Sequence, residues 1–336
     1  MSTPELGPIA VATAGEALID LIEDAEGRLR PCAGGAVYNL TRALGLQGVG
    51  TLYLNPLSRD RFGRSLATGL AQAGVALARP EPVHQPTSLA VVGLDAQGKA
   101  SYSFYRDGVA DRAVDAAGMT AACAAVPTLR LVVTGCLALV PEDSAQLLPW
   151  LQAQRAAGRL VVVDANLRPA VVPDMAAYQA SVMAALQTAH VIKVSDDDLV
   201  TLGLDGADAL NSARELLQRT DAPWLALTLG AQGAMLLHRD GRAWHASETS
   251  PVPVADTVGA GDCFLAGLLV ALLRRIALLG AAQAHSLPLD EEDVRHLLAH
   301  AVASASLCVM ETGCVPPDAA RVAARLSEAP PRVLAR

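Results

Sequence analysis

Apolar residues in this chain come in short runs separated by glycine and polar turns. IAVATAGEALIDLI (9–22) reads as a first strand, followed by the turn-like AEGRLRPCAGG and by an apolar-periodic helix over Ala36–Leu46. GVGTLYLNP gives another short extended piece, and FGRSLATGLAQAG a small helix closed by Gly74. Residues 88–106, SLAVVGLDAQGKASYSFYR, place two β-rich runs around a polar DAQGK turn, the pattern of an antiparallel hairpin.

Beyond residue 128 the rhythm becomes strand, helix, strand. LRLVVTG (129–135), LVVVDAN (160–166), HVIKVS (190–195) and WLALTLG (224–230) are nearly continuous apolar runs, and SAQLLPWLQAQRAAG is a helix between the first two. Such runs predict an α/β fold with a mainly parallel sheet covered on both faces. The hairpin does not fit inside that sheet and is assigned to a small lid beside it. GADALNSARE and AAQAHSLPLDEEDV read as surface connections, with a loop at AHSLP (284–288).

Composition narrows the class. The chain has 336 residues, 52% of them hydrophobic, enough for a large core. Its 34 acidic against 26 basic residues give a net charge of -8, which offers no basic stripe for a nucleic-acid partner. The N-terminal MSTPELGPIA lacks a signal-peptide pattern, and the most apolar segment, Cys263–Leu273, is too short to span a bilayer. The expectation is a cytoplasmic chain with no membrane partner. Six cysteines form no CxxC pair and read as buried thiols in a reducing compartment.

The strongest chemical signal is PVPVADTVGAGDCF (251–264). It leaves a strand and turn and enters the apolar helix DCFLAGLLVALLRRI. The first amides of a helix have no intrahelical acceptor, so Gly259, Ala260 and Gly261 can aim N–H groups at an anion. Asp262 beside that anion suits a base that takes a proton from an attacking hydroxyl. An ordinary helix cap with turn glycines is the alternative. No P-loop lysine follows, and no GxGxxG follows the first strand.

These motifs together resemble the ribokinase-like, or PfkB, family of carbohydrate kinases, most of all its fructokinase branch. The DTxGAGD signature stands as Asp256-Thr257-Val258-Gly259-Ala260-Gly261-Asp262, and the N-terminal glycine signature as Gly34-Gly35-Ala36-Val37-Tyr38-Asn39. GEALID (15–20), RDRFGRSLATGLAQAGV (59–75), SYSFYR (101–106), DANLRP (164–169), IKVS (192–195), TLGAQG (228–233) and AHAVASASL (299–307) follow in family order across nearly the whole chain.

The resemblance implies one carbohydrate kinase domain over residues 1–336 with a three-layer α/β/α ribokinase-like fold, a mainly parallel central sheet and a small antiparallel β lid near 24–34 and 86–108. It implies ATP-dependent phosphorylation of a sugar hydroxyl, D-fructose at O6 in this branch, with Asp262 as base and Gly259–Gly261 as anion hole. Asp20, Gly34, Gly35 and Asn39 match positions that hold sugar hydroxyls. Arg106 matches the lid arginine that reaches the substrate, and Arg168 is a second substrate-side arginine. The nucleotide side is implied at Ser195, Thr228, Gly230, Gly233, Gly261, His300 and Ala303, with Lys193 near it or on a solvent-facing strand end.

Some positions depart from the family pattern. Ser195-Asp196-Asp197-Asp198 stands where an NxxE pattern organises Mg2+, so Asp198 is the candidate ligand and a solvated helix start the alternative. His300 stands where the family has asparagine beside the adenine. LNPLSRDRFG replaces a glycine-rich pattern and leaves the sugar open: 2-keto-3-deoxygluconate, ribose or a riboside are the alternatives, and a non-catalytic sugar-binding protein is a further one. Asp256 with the Val258 carbonyl matches a monovalent-cation position for K+, or else serves only structural hydrogen bonds. The apolar alternation of LAVVGL and YSFY suggests a homodimer formed through the lid.

Overall fold

The computed structural model describes residues 8–24, 26–94, 100–204, 206–278 and 287–336. The DAQGK turn and residues 284–286 of AHSLP lie outside the described residues. The strands are β1 (Ile9–Ala14), β2 (Leu18–Glu23), β3 (Leu29–Gly34), β4 (Gly50–Tyr53), β5 (Ala76–Leu77), β6 (Ser88–Leu94) and β7 (Ala100–Tyr105) in the first third. After them come β8 (Leu131–Gly135), β9 (Leu160–Asp164), β10 (Val191–Ser195), β11 (Trp224–Thr228), β12 (Ala234–His238), β13 (Ala243–Ser247) and β14 (Arg332–Ala335). The helices are α1 (Ala36–Leu46), α2 (Arg61–Gln72), α3 (Ala116–Ala124), α4 (Pro141–Ala156), α5 (Met175–Leu186), α6 (Asp196–Thr201), α7 (Ala209–Gln218), α8 (Ala260–Leu278), α9 (Glu291–Val309) and α10 (Ala319–Glu328).

Ten strands form the central sheet in the order β14-β13-β12-β11-β10-β9-β8-β1-β4-β5. It is parallel from β5 through β11, and β12, β13 and β14 complete it antiparallel. Alternation along each strand divides the core. Leu131, Val133, Leu160, Val162 and Trp224 face α1, α8 and α9, while Val132, Val161, Val163, Ile192 and Leu225 face α3, α4, α5 and α7. With both faces apolar, the sheet is sealed between two helical layers, giving the three-layer fold. Among the described residues, no helix is long and apolar enough to cross a membrane.

The run 9–22 is two strands in two sheets, not one. The break is Gly15, where a Cβ would lie 2.3 Å from Val37 Cγ2. Gly15 N–H donates to Asn55 Oδ1 at 2.8 Å, and Tyr53 Oη donates to the Gly15 carbonyl at 2.7 Å. Those bonds turn the chain out of the central sheet into the small one, whose order is β3-β2-β6-β7. That sheet joins two antiparallel hairpins, β2–β3 and β6–β7, through the parallel β2–β6 edge. β2 therefore belongs to the lid, although the sequence placed it in the main sheet.

GADALNSARE is mainly helix rather than connection. Asp208 caps α7 by accepting from Asn211 N–H at 2.8 Å, and Ala213, Leu216 and Leu217 bury one narrow face. Residues 251–259 are irregular after β13. Pro251 and Pro253 cannot donate to a ladder. The segment is instead tied to the end of α9 by Ala255 N–H donating to the Val309 carbonyl at 2.8 Å.

Candidate active site

Ligands of open α/β sheets bind beyond the carboxyl ends of the parallel strands. A cleft of about 310 Å³ lies there, walled by the lid and by the start of α8. Asp20, Gly35, Asn39, Arg168, Lys193, Gly259, Gly261 and Asp262 line it, with Tyr102 and Phe104 on the lid side.

The turn into α8 leaves N–H groups of the helix start without an intrahelical acceptor. Gly259 has φ +78°, a conformation that disfavours any side chain. Ala260 N–H closes the turn on the Thr257 carbonyl at 3.3 Å, and the first full helical bond runs from Cys263 N–H to the Gly259 carbonyl at 2.9 Å. The N–H groups of Gly261 and Asp262 precede that bond and carry the positive end of a 19-residue helix. Ala260, expected among the anion donors, spends its N–H on the turn.

Asp262 is buried and accepts a hydrogen bond from Asn39 Nδ2 at 3.0 Å. Burial pushes its carboxyl up to about 6, against the Asn39 hydrogen bond and the charges of Lys193 and Arg168. A carboxylate with this value is ionised near neutral pH yet basic enough to take a proton from a hydroxyl.

Asp20 faces the same cleft, and burial raises its carboxyl to about 6 while Arg168 opposes the shift. Its position explains the paired glycines. A Cβ on Gly34 would lie 2.0 Å from Asp20 Oδ2, and one on Gly35 would lie 2.8 Å from the Glu16 carbonyl. Gly35 also has φ +104°. These glycines first make room for Asp20 and for the Glu16 backbone, which brings Asp20 and Asn39 to one wall.

Glu16 is a residue that sequence reasoning passed over, although GEALID contains it. It is buried, and its Oε1 accepts Ala36 N–H at 2.7 Å, which caps α1 and so aims Asn39. Its Oε2 is buried with no hydrogen-bond partner. Burial lifts its carboxyl to about 7, with Arg106 opposing.

Lys193 resolves an ambiguity. It is 3% exposed, so it is no surface lysine, and its Nζ pairs with Asp164 Oδ1 at 3.0 Å. A Cβ on Gly261 would stand 3.2 Å from that Nζ, which places the ammonium beside the turn. Burial raises Asp164 to about 7 against the pull of Lys193. Asn166, in DANLRP, also lines the cleft, with φ +34°.

Arg106 does not line this cleft. It is 7% exposed, with Nη2 3.0 Å from Asp143 Oδ2 and 3.4 Å from Asp111 Oδ2, while Nη1 donates to the Leu137 carbonyl at 3.2 Å. Buried Asp111 and half-buried Asp143 turn the guanidinium into a neighbouring cavity of about 440 Å³. Arg168 does line the cleft and is steadied by its Nη1 donating to the Leu167 carbonyl at 3.0 Å.

On the expected nucleotide side, Ser195 and Thr228 are register partners at the adjoining ends of β10 and β11, and Gly230 and Gly233 form the turn after β11. His300 and Ala303 lie elsewhere in character. His300 is buried and its Nε2 bonds Gln47 Oε1 at 3.0 Å, locking α9 to α1, and burial drops its imidazole to about 4. Ala303 is fully buried against Leu307 and Val322. Both pack helices rather than face an open base pocket.

The metal candidates are committed to the backbone. Asp198 Oδ1 accepts Leu167 N–H at 2.7 Å and Oδ2 accepts Ser195 N–H at 2.8 Å, while Ser195 Oγ accepts Asp198 N–H at 3.0 Å. This capping box makes Asp198 the pin between the DANLRP loop and α6. Asp256 Oδ1 accepts Val258 N–H at 3.0 Å and Oδ2 accepts Gly313 N–H at 2.9 Å, bracing the turn from behind.

A helix N-terminus beside a buried carboxylate, with Asp20, Asn39 and Arg168 on the facing wall, is an arrangement suited to phosphoryl transfer to a hydroxyl. Residues 9–320 match the pfkB family carbohydrate kinases. A fructokinase of Rhizobium leguminosarum bv. trifolii is 32% identical over 286 residues, covering 84% of each chain. The structure of fructokinase with bound ATP from Xylella fastidiosa superposes with a TM-score of 0.80 at 26% identity, over 95% of this chain and 98% of that one. A double mutant of fructokinase from Vibrio cholerae O395, bound to fructose, ADP and potassium ion, gives a TM-score of 0.75 at 25% identity, over 94% and 98%. The chain belongs to the pfkB family, in its fructokinase branch, and is a sugar kinase.

Proposed function

We propose that the chain transfers the terminal phosphoryl group of ATP to the 6-hydroxyl of D-fructose. Asp20, Asn39 and Arg168 hold the sugar, and Asp262 takes the proton of the attacking hydroxyl as the new O–P bond forms and the bond to ADP breaks. N–H groups of Gly261 and Asp262, with the Lys193 ammonium, balance charge on the transferring group. The observation that carries this reading is Asp262, buried at the α8 N-terminus and held by Asn39 from the opposite end of the sequence. Fructose is supported by the Rhizobium, Xylella and Vibrio relatives, each a fructokinase.

One observation favours a second reading. Arg106, the lid arginine expected to reach fructose, points into its ion-pair network. That leaves Arg168 as the cleft arginine, a fit for 2-keto-3-deoxygluconate, whose carboxylate a guanidinium can grip, or with less help for ribose or a riboside. ADP release from ATP across a panel of these free sugars decides between them. The highest kcat/KM on fructose supports the first reading, and on the keto-sugar acid the second.

Mg2+ would arrive on the ATP phosphates and keep several waters. Asp198 accepts one backbone N–H at each carboxylate oxygen and would order a water of that shell. Asp256 and the Val258 carbonyl are the place for K+, since each carboxylate oxygen accepts one N–H and keeps a second lone pair. Activation by K+ over Na+ tests this. Leu29 and Tyr105 are exposed on the lid, which supports a homodimer through that sheet, measurable by sedimentation.

A further inference from the structure

Three cysteines far apart in sequence meet behind the glycine turn. Cys263 follows Asp262 in α8, Cys308 sits near the end of α9, and Cys314 lies in the loop beyond it. Their sulfurs all lie within 4.8 Å of one another. Cys263 and Cys308 are fully buried and Cys314 is half-buried, which leaves one side for entry. The cluster touches the turn itself: a Cβ on Gly259 would stand 2.2 Å from Cys314 Sγ, and Cys308 Sγ lies 3.6 Å from the Val258 carbonyl oxygen.

Packing alone asks for small apolar groups here, not for three thiols converging on one point. Tetrahedral zinc with Zn–S bonds of about 2.3 Å needs sulfurs roughly 3.8 Å apart, so the trio is near that spacing already. Charge selects the ion. Three thiolates around a divalent cation leave one net negative charge, whereas a monovalent soft cation leaves two, in a buried place that already adjoins Asp256 and Asp262.

We propose that Cys263, Cys308 and Cys314, with a water entering on the half-buried Cys314 side as fourth donor, bind one zinc-type divalent cation on the rear of the glycine turn. Each thiol that still carries a proton releases it to solvent as its S–Zn bond forms. The occupied site sets a net negative charge behind the N–H groups that face the phosphoryl group, so zinc lowers kcat. This consequence, unlike the binding itself, rests on the anion-hole reading given above.

The test uses the full chain, reduced with a phosphine and stripped of metal, then titrated with zinc against a chromophoric chelator. The expected result is one zinc per chain, with Cys308→Ala and Cys314→Ala each weakening it about 100-fold or more. Cobalt(II) in place of zinc should give thiolate-to-metal charge-transfer absorption that both variants lose. Without metal both variants should melt and turn over like the parent, and with zinc they should escape the inhibition the parent shows. Equal zinc binding by the parent and both variants overturns the site, as does no binding by the parent with its thiols reduced. Stoichiometric, cysteine-dependent binding without inhibition upholds the site and overturns only its link to the anion hole.

Discussion

Replacing Asn39 by alanine removes a side-chain donor to Asp262, a 3.0 Å bond between groups 223 residues apart. The Asp262 carboxyl already sits at about 6 because burial outweighs Asn39, Lys193 and Arg168. A hydrogen bond to a charged acceptor contributes about 1.5–3 kcal/mol, and one pKa unit is about 1.4 kcal/mol, so its loss raises the value by about 1–2 units. The base must be ionised to accept a proton. Activity is therefore lost as pH falls through this value, and the variant should lose it at a higher pH than the parent. The assay is kcat against pH at saturating sugar, which separates this effect from any rise in KM caused by losing a sugar contact. An acid limb that stays at the parent position in Asn39→Ala refutes the pairing as a tuning device.

Glu16, lifted by burial from 4.5 to about 7, is neutral in the fold at acidic pH, and its ionisation opposes folding as pH rises through that interval. Glu16→Gln should remove a loss on the order of 3 kcal/mol above the folded value, read by urea unfolding against pH; an unchanged slope contradicts the burial argument. Gly259→Ala places a Cβ against Cys314 Sγ at φ +78°, and should lower kcat about 100-fold while the protein still folds. Arg106→Ala leaves buried Asp111 without its guanidinium, although Asp143 keeps Arg112, and should cost about 3–5 kcal/mol of stability, while Arg168→Ala should raise the sugar KM with melting near normal. A raised KM with normal melting in Arg106→Ala instead would return that arginine to the sugar.

The alternating core and the helices α1, α2, α4 and α8 were legible because each declares itself within one stretch of chain. The split of 9–22 was not, since an apolar run is compatible with either sheet and the switch lies in contacts of Gly15 with Val37, Tyr53 and Asn55. Helix α7 was missed because its buried face is only a few residues wide and its polar start resembles a loop. The motifs located Asp20, Asn39, Gly259, Gly261 and Asp262, and the structure brings these five to one cleft. Motif position could not report side-chain direction. Arg106 is turned by Asp111 and Asp143, Asp198 is held by Leu167 and by its own capping box with Ser195, and His300 is taken by Gln47. The cysteine trio left no trace in spacing because 263, 308 and 314 meet only when α8 and α9 pack.

The central claim is that Asp262 is the base for phosphoryl transfer to a sugar held between the lid and α8. Its most direct test is Asp262→Ala, measured for turnover with ATP and the preferred sugar and, separately, for sugar binding by calorimetry. Loss of a general base costs about 10²–10⁴-fold in kcat, so the account expects a fall of at least that size with melting and sugar affinity retained. Turnover within a few-fold of the parent would contradict it.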